Sequence, residues 1–371
     1  MDFEYFIRKI GFEEEDINTL VCLYDKVKYT EAFKGLVNEM RAEPLGDIYD
    51  LRQRIYGYAS VVNAHPYTML LTVLCSSADV IKDRMIKSGS TEAVYWDTVR
   101  DFRYKAYECK RMHGVIGIFI IGWYRLLYEG RRFELGRLQF EIIGFPMEKY
   151  SKGNTVITKG MPIINVHIPS SGRLDIEDVK KSLKAATEFF TLKYDGKFFF
   201  FCESWLLYPK YKSLFKVSKN ITDFASLFDI FDTIEQEKFE DGWRIFNTEE
   251  LSDINKLPND TSLRRAFIEY MKNGGSFGSG FLLGESGCAL FLDFGLGGQT
   301  ALLGRFGVRR QFVGLVLDLG LLLAQPFVEF GLGVRLGECT FSDTAQQVLL
   351  VHYAFVGEDR PTGVGGLCAF E

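Results

Sequence analysis

The chain has 371 residues, 47% of them hydrophobic, and a formal net charge of −5. That much apolar material supports a sizeable core and more than one domain, and the slightly negative balance leaves no basic footprint for nucleic acid. The seven cysteines are scattered with no C-x-x-C pair, and the four histidines have no ligand spacing. This points to reduced thiols in a cytoplasmic protein and to no metal site.

The first residues, M-D-F-E-Y-F-I-R-K-I, are charged from the second position and carry no signal-peptide core. From Asp2 to about Tyr128 the pattern is helical. Glu13 to Asp16 opens a helix with Ile17, Leu20, Val21 and Leu23 at helical spacing. Leu51–Tyr58, His65–Met85 and Thr91–Met112 read as further helices, with His65-Pro66 and Thr91 as starts. The apolar run Val115–Trp123 is too short to span a bilayer and is predicted as a buried helix. Residues 1–130 are thus predicted as a helical domain that packs on the second half of the chain or walls an acceptor pocket.

The period then changes. Arg132–Ile143 alternates apolar and polar residues and is predicted as one strand, with a bulge or bend at Gly136. Ser151-Lys152-Gly153-Asn154 reads as a hairpin loop. Ile163–Ile168 is an apolar strand stopped by Pro169, followed by the small turn Ser170-Ser171-Gly172. Asp175 caps a helix whose Val179, Leu183, Ala186 and Phe190 share a face, and Phe198–Phe201 is a strand buried on both faces. Strand, helix and strand make a right-handed βαβ unit, in which a ligand sits at the carboxyl ends of the strands beside the helix start. Further on, Lys210–Phe215 and Ser218–Phe228 are predicted helical, Phe231–Glu237 and Trp243–Phe246 strands, and Leu263–Tyr270 a helix stopped at Gly274-Gly275. The whole is a mixed-sheet α/β sandwich over residues 131–283. No lysine occurs beyond Lys272 and glycine is concentrated there. Residues 284–371 are expected to be a Gly/Leu-rich extension, disordered or non-native.

Four stretches carry a resemblance: G-R-L-Q-F-E (Gly136–Glu141), V-H-I-P (Val166–Pro169), C-E-S-W-L-L (Cys202–Leu207) and L-P-N-D-T-S-L-R-R-A (Leu257–Ala266). Over roughly Asp2–Phe281 the chain resembles a family of uncharacterised bacterial acyltransferases. These pair a helical N-acyltransferase N-terminal domain with a GNAT-like C-terminal domain. The resemblance implies transfer of an acyl group from acyl-CoA, acetyl or longer, to a small-molecule or peptide amine, with no metal, no nucleic acid and no membrane. It implies that the pantetheine arm pairs with the backbone of Val166, His167 and Ile168. The pyrophosphate would rest on the loop Ser170, Ser171, Gly172, Arg173 and Leu174. His167 or Glu203 would be the base, and Tyr208 or Tyr211 the acid.

In one respect the chain departs from the GNAT pattern. The loop has a single glycine and no Arg or Gln ahead of it, while Asp175, Glu177 and Asp178 crowd the helix start, where they are expected to repel a pyrophosphate unless Arg173 or a lysine offsets them. That feature points to an alternative, a non-catalytic GNAT-fold module that has lost CoA. A third expectation, a hydrolase using Cys202 or Ser204 with His167, lacks an acidic orienter and a G-x-S-x-G elbow.

Overall fold

The computed structural model describes residues 1–194, 198–217 and 219–286. Its N-terminal part is helical: α1 (Phe3–Lys9), α2 (Glu14–Val27), α3 (Glu31–Arg41), α4 (Ile48–Val61), α5 (Pro66–Ser76), α6 (Asp79–Lys87), α7 (Glu92–Val99), α8 (Asp101–His113) and α9 (Arg125–Tyr128). Short polar side chains start several of these: Asp2, Thr30, Asp47 and Thr91 each accept a bond from the first-turn backbone. His65 does the same for α5 through Nδ1, with Pro66 as its first residue. α5 is the central helix, buried from Thr68 to Cys75.

Three expectations change here. The helix predicted over His65–Met85 is two helices, because Ser77 turns its hydroxyl back on the Val73 and Leu74 carbonyls and is held by the Tyr128 hydroxyl. The one over Thr91–Met112 likewise breaks at Arg100. The run Val115–Trp123 is irregular up to Ile121 and ends in a single 3-10 turn, Gly122–Tyr124. It lies along the start of α5, where Ile118 N–H donates to the Tyr67 carbonyl (3.0 Å) and Thr68 Oγ1 donates to the Ile116 carbonyl (2.7 Å). Tertiary bonds satisfy its backbone, so its apolar side chains Ile116, Ile118 and Ile121 are buried without helical pairing.

The second part contains β1 (Arg132–Leu135), β2 (Leu138–Gly144), β3 (Lys149–Lys152), β4 (Thr155–Thr158), β5 (Pro162–His167), α10 (Ile176–Thr191), β6 (Phe199–Ser204), α11 (Lys219–Ser226), β7 (Asp229–Gln236), α12 (Gly242–Phe246), α13 (Ser262–Lys272) and β8 (Phe277–Glu285). β3 and β4 form their own hairpin; the other six make one sheet in the order β1-β2-β5-β6-β8-β7. β5 and β6 are parallel and every other neighbouring pair is antiparallel. The predicted single strand over Arg132–Ile143 is a hairpin: Leu135 pairs with Leu138, so only Gly136 and Arg137 lie in the turn. Gly136 takes φ +77°, the glycine-favouring first position of a II′ turn, so it reverses the chain rather than bending it.

α10 covers one face of the sheet. Val179, Leu183, Ala186 and Phe190 are buried with Phe133, Phe140, Val166 and Phe200. At roughly 1.5–3 kcal/mol for each large apolar side chain, this layer fixes the β1-β2-β5-β6 register. The expected strand at Trp243–Phe246 is the short helix α12; its Trp243 and Phe246, three apart, turn inward together, and Asn247 (φ +54°) ends it. β8 was not expected at all. Its glycines let it pass close to the chain after β6: a Cβ on Gly280 would stand 2.4 Å from the Leu207 carbonyl oxygen. β8 carries the fold past residue 283, through Gly284 and Glu285. The rest of the predicted extension, from residue 287, lies outside the described residues.

Candidate functional site

β5 and β6 begin as a parallel pair, Ile164 opposite Phe200 and Asn165 opposite Phe201, and the pairing stops there. Both strands run on, β5 to His167 and β6 to Ser204. Their carboxyl ends therefore separate, which leaves the β6-facing backbone of Val166 and His167 without a strand partner. A cleft of about 390 Å³ opens at this fork. One wall is the exit from β5, Ile168 to Leu174; the other is Trp205 and Leu206 at the exit from β6. α8 contributes Lys105, Glu108 and Arg111, and the α12 region contributes Trp243 and Arg244.

The cleft is strongly basic. Lys105, Arg111, Arg137, Arg173 and Arg244 line it, against one carboxylate, Glu108. Burial pushes the Glu108 carboxyl up, but Lys105 at 2.9 Å, with help from Ser170 and Arg244, holds it below the usual range. Arg111 and Arg173 are exposed and have no ion-pair partner among the described residues. Arg137, from the β1–β2 turn, reaches under the β5–α10 loop. It donates to the carbonyls of Pro169 (2.9 Å), Gly172 (2.7 Å) and Arg173 (2.9 Å) and to Ser171 Oγ (3.2 Å). None of the amides of residues 170–174 donates to a described residue. The three acids that were expected to repel a phosphate are otherwise engaged: Asp175 caps α10, Glu177 pairs with Lys180 (2.8 Å) and Asp178 with Lys181 (3.1 Å). None of them lines the cleft.

His167 stands at the fork. Its Nε2 lies 2.6 Å from Glu141 Oε2, and its ring meets the edge of Trp123 at 4.8 Å. Glu141 is buried and ion-pairs with buried Arg132, whose guanidinium lies 3.8 Å from the Trp123 ring centroid. Burial raises the Glu141 carboxyl, but Arg132 and His167 outweigh it and hold it well below the ordinary range. An ionised carboxylate only accepts, so His167 Nε2 is the donor in this bond; Asn165 Nδ2 lies 3.1 Å from the same nitrogen. On the same face a second buried set joins the sheet to α8: Gln139 Nε2 donates to Asp101 Oδ1 (3.0 Å) and Glu134 Oε2 (2.9 Å), and Trp123 Nε1 donates to Asp101 Oδ2 (2.7 Å). Burial pushes the Glu134 carboxyl up to about 8.

The other residues singled out in the sequence are dispersed. Glu203 lies two residues past Phe201, as His167 lies two past Asn165, so both side chains take the same sheet face. Partial burial, with Asp241 and Glu240 nearby, raises its carboxyl. Tyr208 is buried with its hydroxyl on Glu235 (3.0 Å) and Ser276 (3.3 Å). Tyr211 is fully buried among Phe215, Phe239 and Phe267. Neither tyrosine lines the cleft. Cys202 is buried and its thiol is pushed up to about 12, and Ser204 caps the next turn through Leu206 N–H. Cys202 is buried with Val166 and Phe200 on the α10 face of the sheet, opposite the face that carries His167, so nothing in the geometry pairs the two as a hydrolase would need.

Sequence reasoning missed Arg137 and Glu141, although both lie within G-R-L-Q-F-E; that stretch was read as strand and as part of the resemblance, with no role given to either side chain. It also missed Lys105, Glu108 and Arg111, whose i, i+3, i+6 spacing puts them on one face of α8.

Comparison with known proteins agrees with this architecture. Residues 1–130 match the N-acyltransferase N-terminal domain, and residues 133–282 match the GNAT-like C-terminal domain. The chain belongs to the N-acyltransferase family that joins these two domains. Among solved structures it is similar to an acyltransferase in complex with decanoyl-CoA, at 18% identity and a TM-score of 0.56, over 75% of this chain and 85% of that one. It also matches an acyltransferase in complex with CoA and 10C-teicoplanin, at 19% identity and a TM-score of 0.49, over 76% of this chain and 99% of that one. No curated protein matches the chain. Among the described residues no helix is long and apolar enough to cross a membrane, and no group of three or more His, Cys, Asp or Glu could hold a metal ion.

Proposed function

We propose that the protein transfers an acyl group from acyl-CoA to an amine, and that the fork between β5 and β6 is the donor site. The observation that carries this is the conjunction of the split parallel pair with a basic cleft at its mouth. The free backbone edge at Val166–Ile168 suits the amide-bearing pantetheine arm. The unengaged amides of Ser170–Leu174, with Arg173 and Arg111, suit the diphosphate. Ile168, Leu174, Trp205 and Leu206 supply apolar wall for the arm. The decanoyl-CoA complex of a protein with the same fold supports this assignment.

In the chemical step the amine nitrogen attacks the thioester carbonyl, and its proton passes to His167 Nδ1. Glu141 fixes the tautomer that leaves this nitrogen basic and stabilises the imidazolium that forms. The tetrahedral intermediate collapses by breaking the C–S bond. A thiol with an ordinary pKa of about 8.5 leaves as thiolate without a dedicated acid, so neither tyrosine is needed. Glu203, on the same face with a raised carboxyl, faces the acceptor side and takes the proton onward. The acceptor is an amine of a small molecule or peptide.

A panel of primary amines mixed with acetyl-, octanoyl- and decanoyl-CoA tests this. Release of free CoA thiol that requires both an amine and His167 is expected, with acylated amine visible by mass. Thiol release unchanged in His167→Ala, or independent of any amine, would contradict the assignment.

A further inference from the structure

The loop that precedes α10 has a single glycine, Gly172, and its backbone is tied down by a side chain from another turn. That turn is the one between β1 and β2. Arg137 makes four bonds to a stretch of five residues, three of them to backbone carbonyls. In a trans peptide unit the carbonyl and the following amide point in opposite directions. Holding the carbonyls of Pro169, Gly172 and Arg173 toward the guanidinium therefore turns the amides of Ser170, Arg173 and Leu174 away from it. Those are amides that donate to no described residue.

The geometry points to Arg137 as the positioning residue of the diphosphate site: although it lines the cleft, its guanidinium is engaged by the loop carbonyls, and it shapes the anion nest through them. This rests on the acyl-CoA reading above. Successive free amides in a turn make an anion-binding concavity, and a planar guanidinium with five donors in a fixed fork can brace several carbonyls at once. A lysine keeps the charge but loses the fork. The turn itself is rigid, since Gly136 and the Leu135–Leu138 pair set the direction in which Arg137 leaves the sheet.

The test is titration of CoA and of pantetheine, which lacks the diphosphate and nucleotide, into the full chain and its variants. The unmodified protein is expected to bind CoA at least a hundredfold more tightly than pantetheine. Arg137→Lys is expected to lose about thirtyfold or more in CoA affinity while pantetheine affinity stays within twofold. Ser171→Ala, an exposed change that removes one of the four bonds, is expected to lose a few-fold with an unchanged melting temperature. If Arg137→Lys binds CoA as the unmodified chain does, the charge alone suffices and the bracing role is overturned, while the donor site stands. If the unmodified chain prefers CoA no more than pantetheine, the donor site itself is wrong and this inference falls with it.

Discussion

Two polar assemblies share the sheet, and they are built on opposite terms. The one beneath the helical domain, Arg132, Glu141, His167, Trp123, Asp101, Gln139 and Glu134, is sealed, and most of its polar groups have partners within the protein. The one at the fork leaves Arg111 and Arg173 exposed with no ion-pair partner among the described residues, and its loop amides donate to no described residue. Buried charges must be paired because their desolvation costs several kcal/mol; exposed unpaired cations facing a concavity cost little and are available to a ligand. His167 belongs to the sealed set and ends β5, one residue before Ile168, where the lining of the open cleft begins.

The sharpest way to break the sealed set is to remove one partner. Arg132→Met leaves the buried Glu141 carboxylate with His167 as its one remaining partner among the described residues, and a loss of about 3–5 kcal/mol in urea unfolding at pH 7 is expected. Because the folded Glu141 carboxyl lies below its unfolded value, the stability from this pair is present above the unfolded pKa and is lost as pH falls. The deficit of the variant should therefore narrow below about pH 4. Next in size is the histidine at the end of β5: His167→Ala should lower turnover by about 100- to 10,000-fold while CoA affinity changes little. Glu134 sets a smaller, opposite pH trend. Its folded carboxyl, near 8, lies above the unfolded value, so stability falls as pH rises from about 5 to 8. Glu134→Gln should match the unmodified chain at pH 5 and exceed it at pH 8 by on the order of 1–3 kcal/mol in thermal unfolding. The smallest effect is in the open set: Arg111→Ala should weaken CoA by about three- to tenfold and reduce the salt dependence of binding, with no change in melting temperature.

The difference between the assemblies also explains what could be read from the sequence. The βαβ unit was legible because Val179, Leu183, Ala186 and Phe190 repeat at helical spacing and Asp175 caps them. The loop at its centre was legible for the same reason. Arg137 and Glu141 were not, because their roles depend on partners across the sheet and in a distant loop, and a strand pattern says only which face each side chain takes. Which lysines sit beside the acids at the start of α10, Lys180 and Lys181, was not legible because it depends on side-chain geometry. β8 was hidden because glycines that permit close strand packing also weaken every strand signal. A chain cut at Phe281 would lose Leu282 to Glu285, which pair with Cys202 to Phe199.

The most direct measurement is isothermal titration of acetyl-CoA and decanoyl-CoA into the full chain, alongside Ser171→Glu, which places a carboxylate in the loop. Micromolar binding that weakens with salt and drops at least thirtyfold in Ser171→Glu is the result the basic fork predicts. A well-folded chain that binds neither thioester, or a Ser171→Glu variant that binds both as tightly, would contradict it.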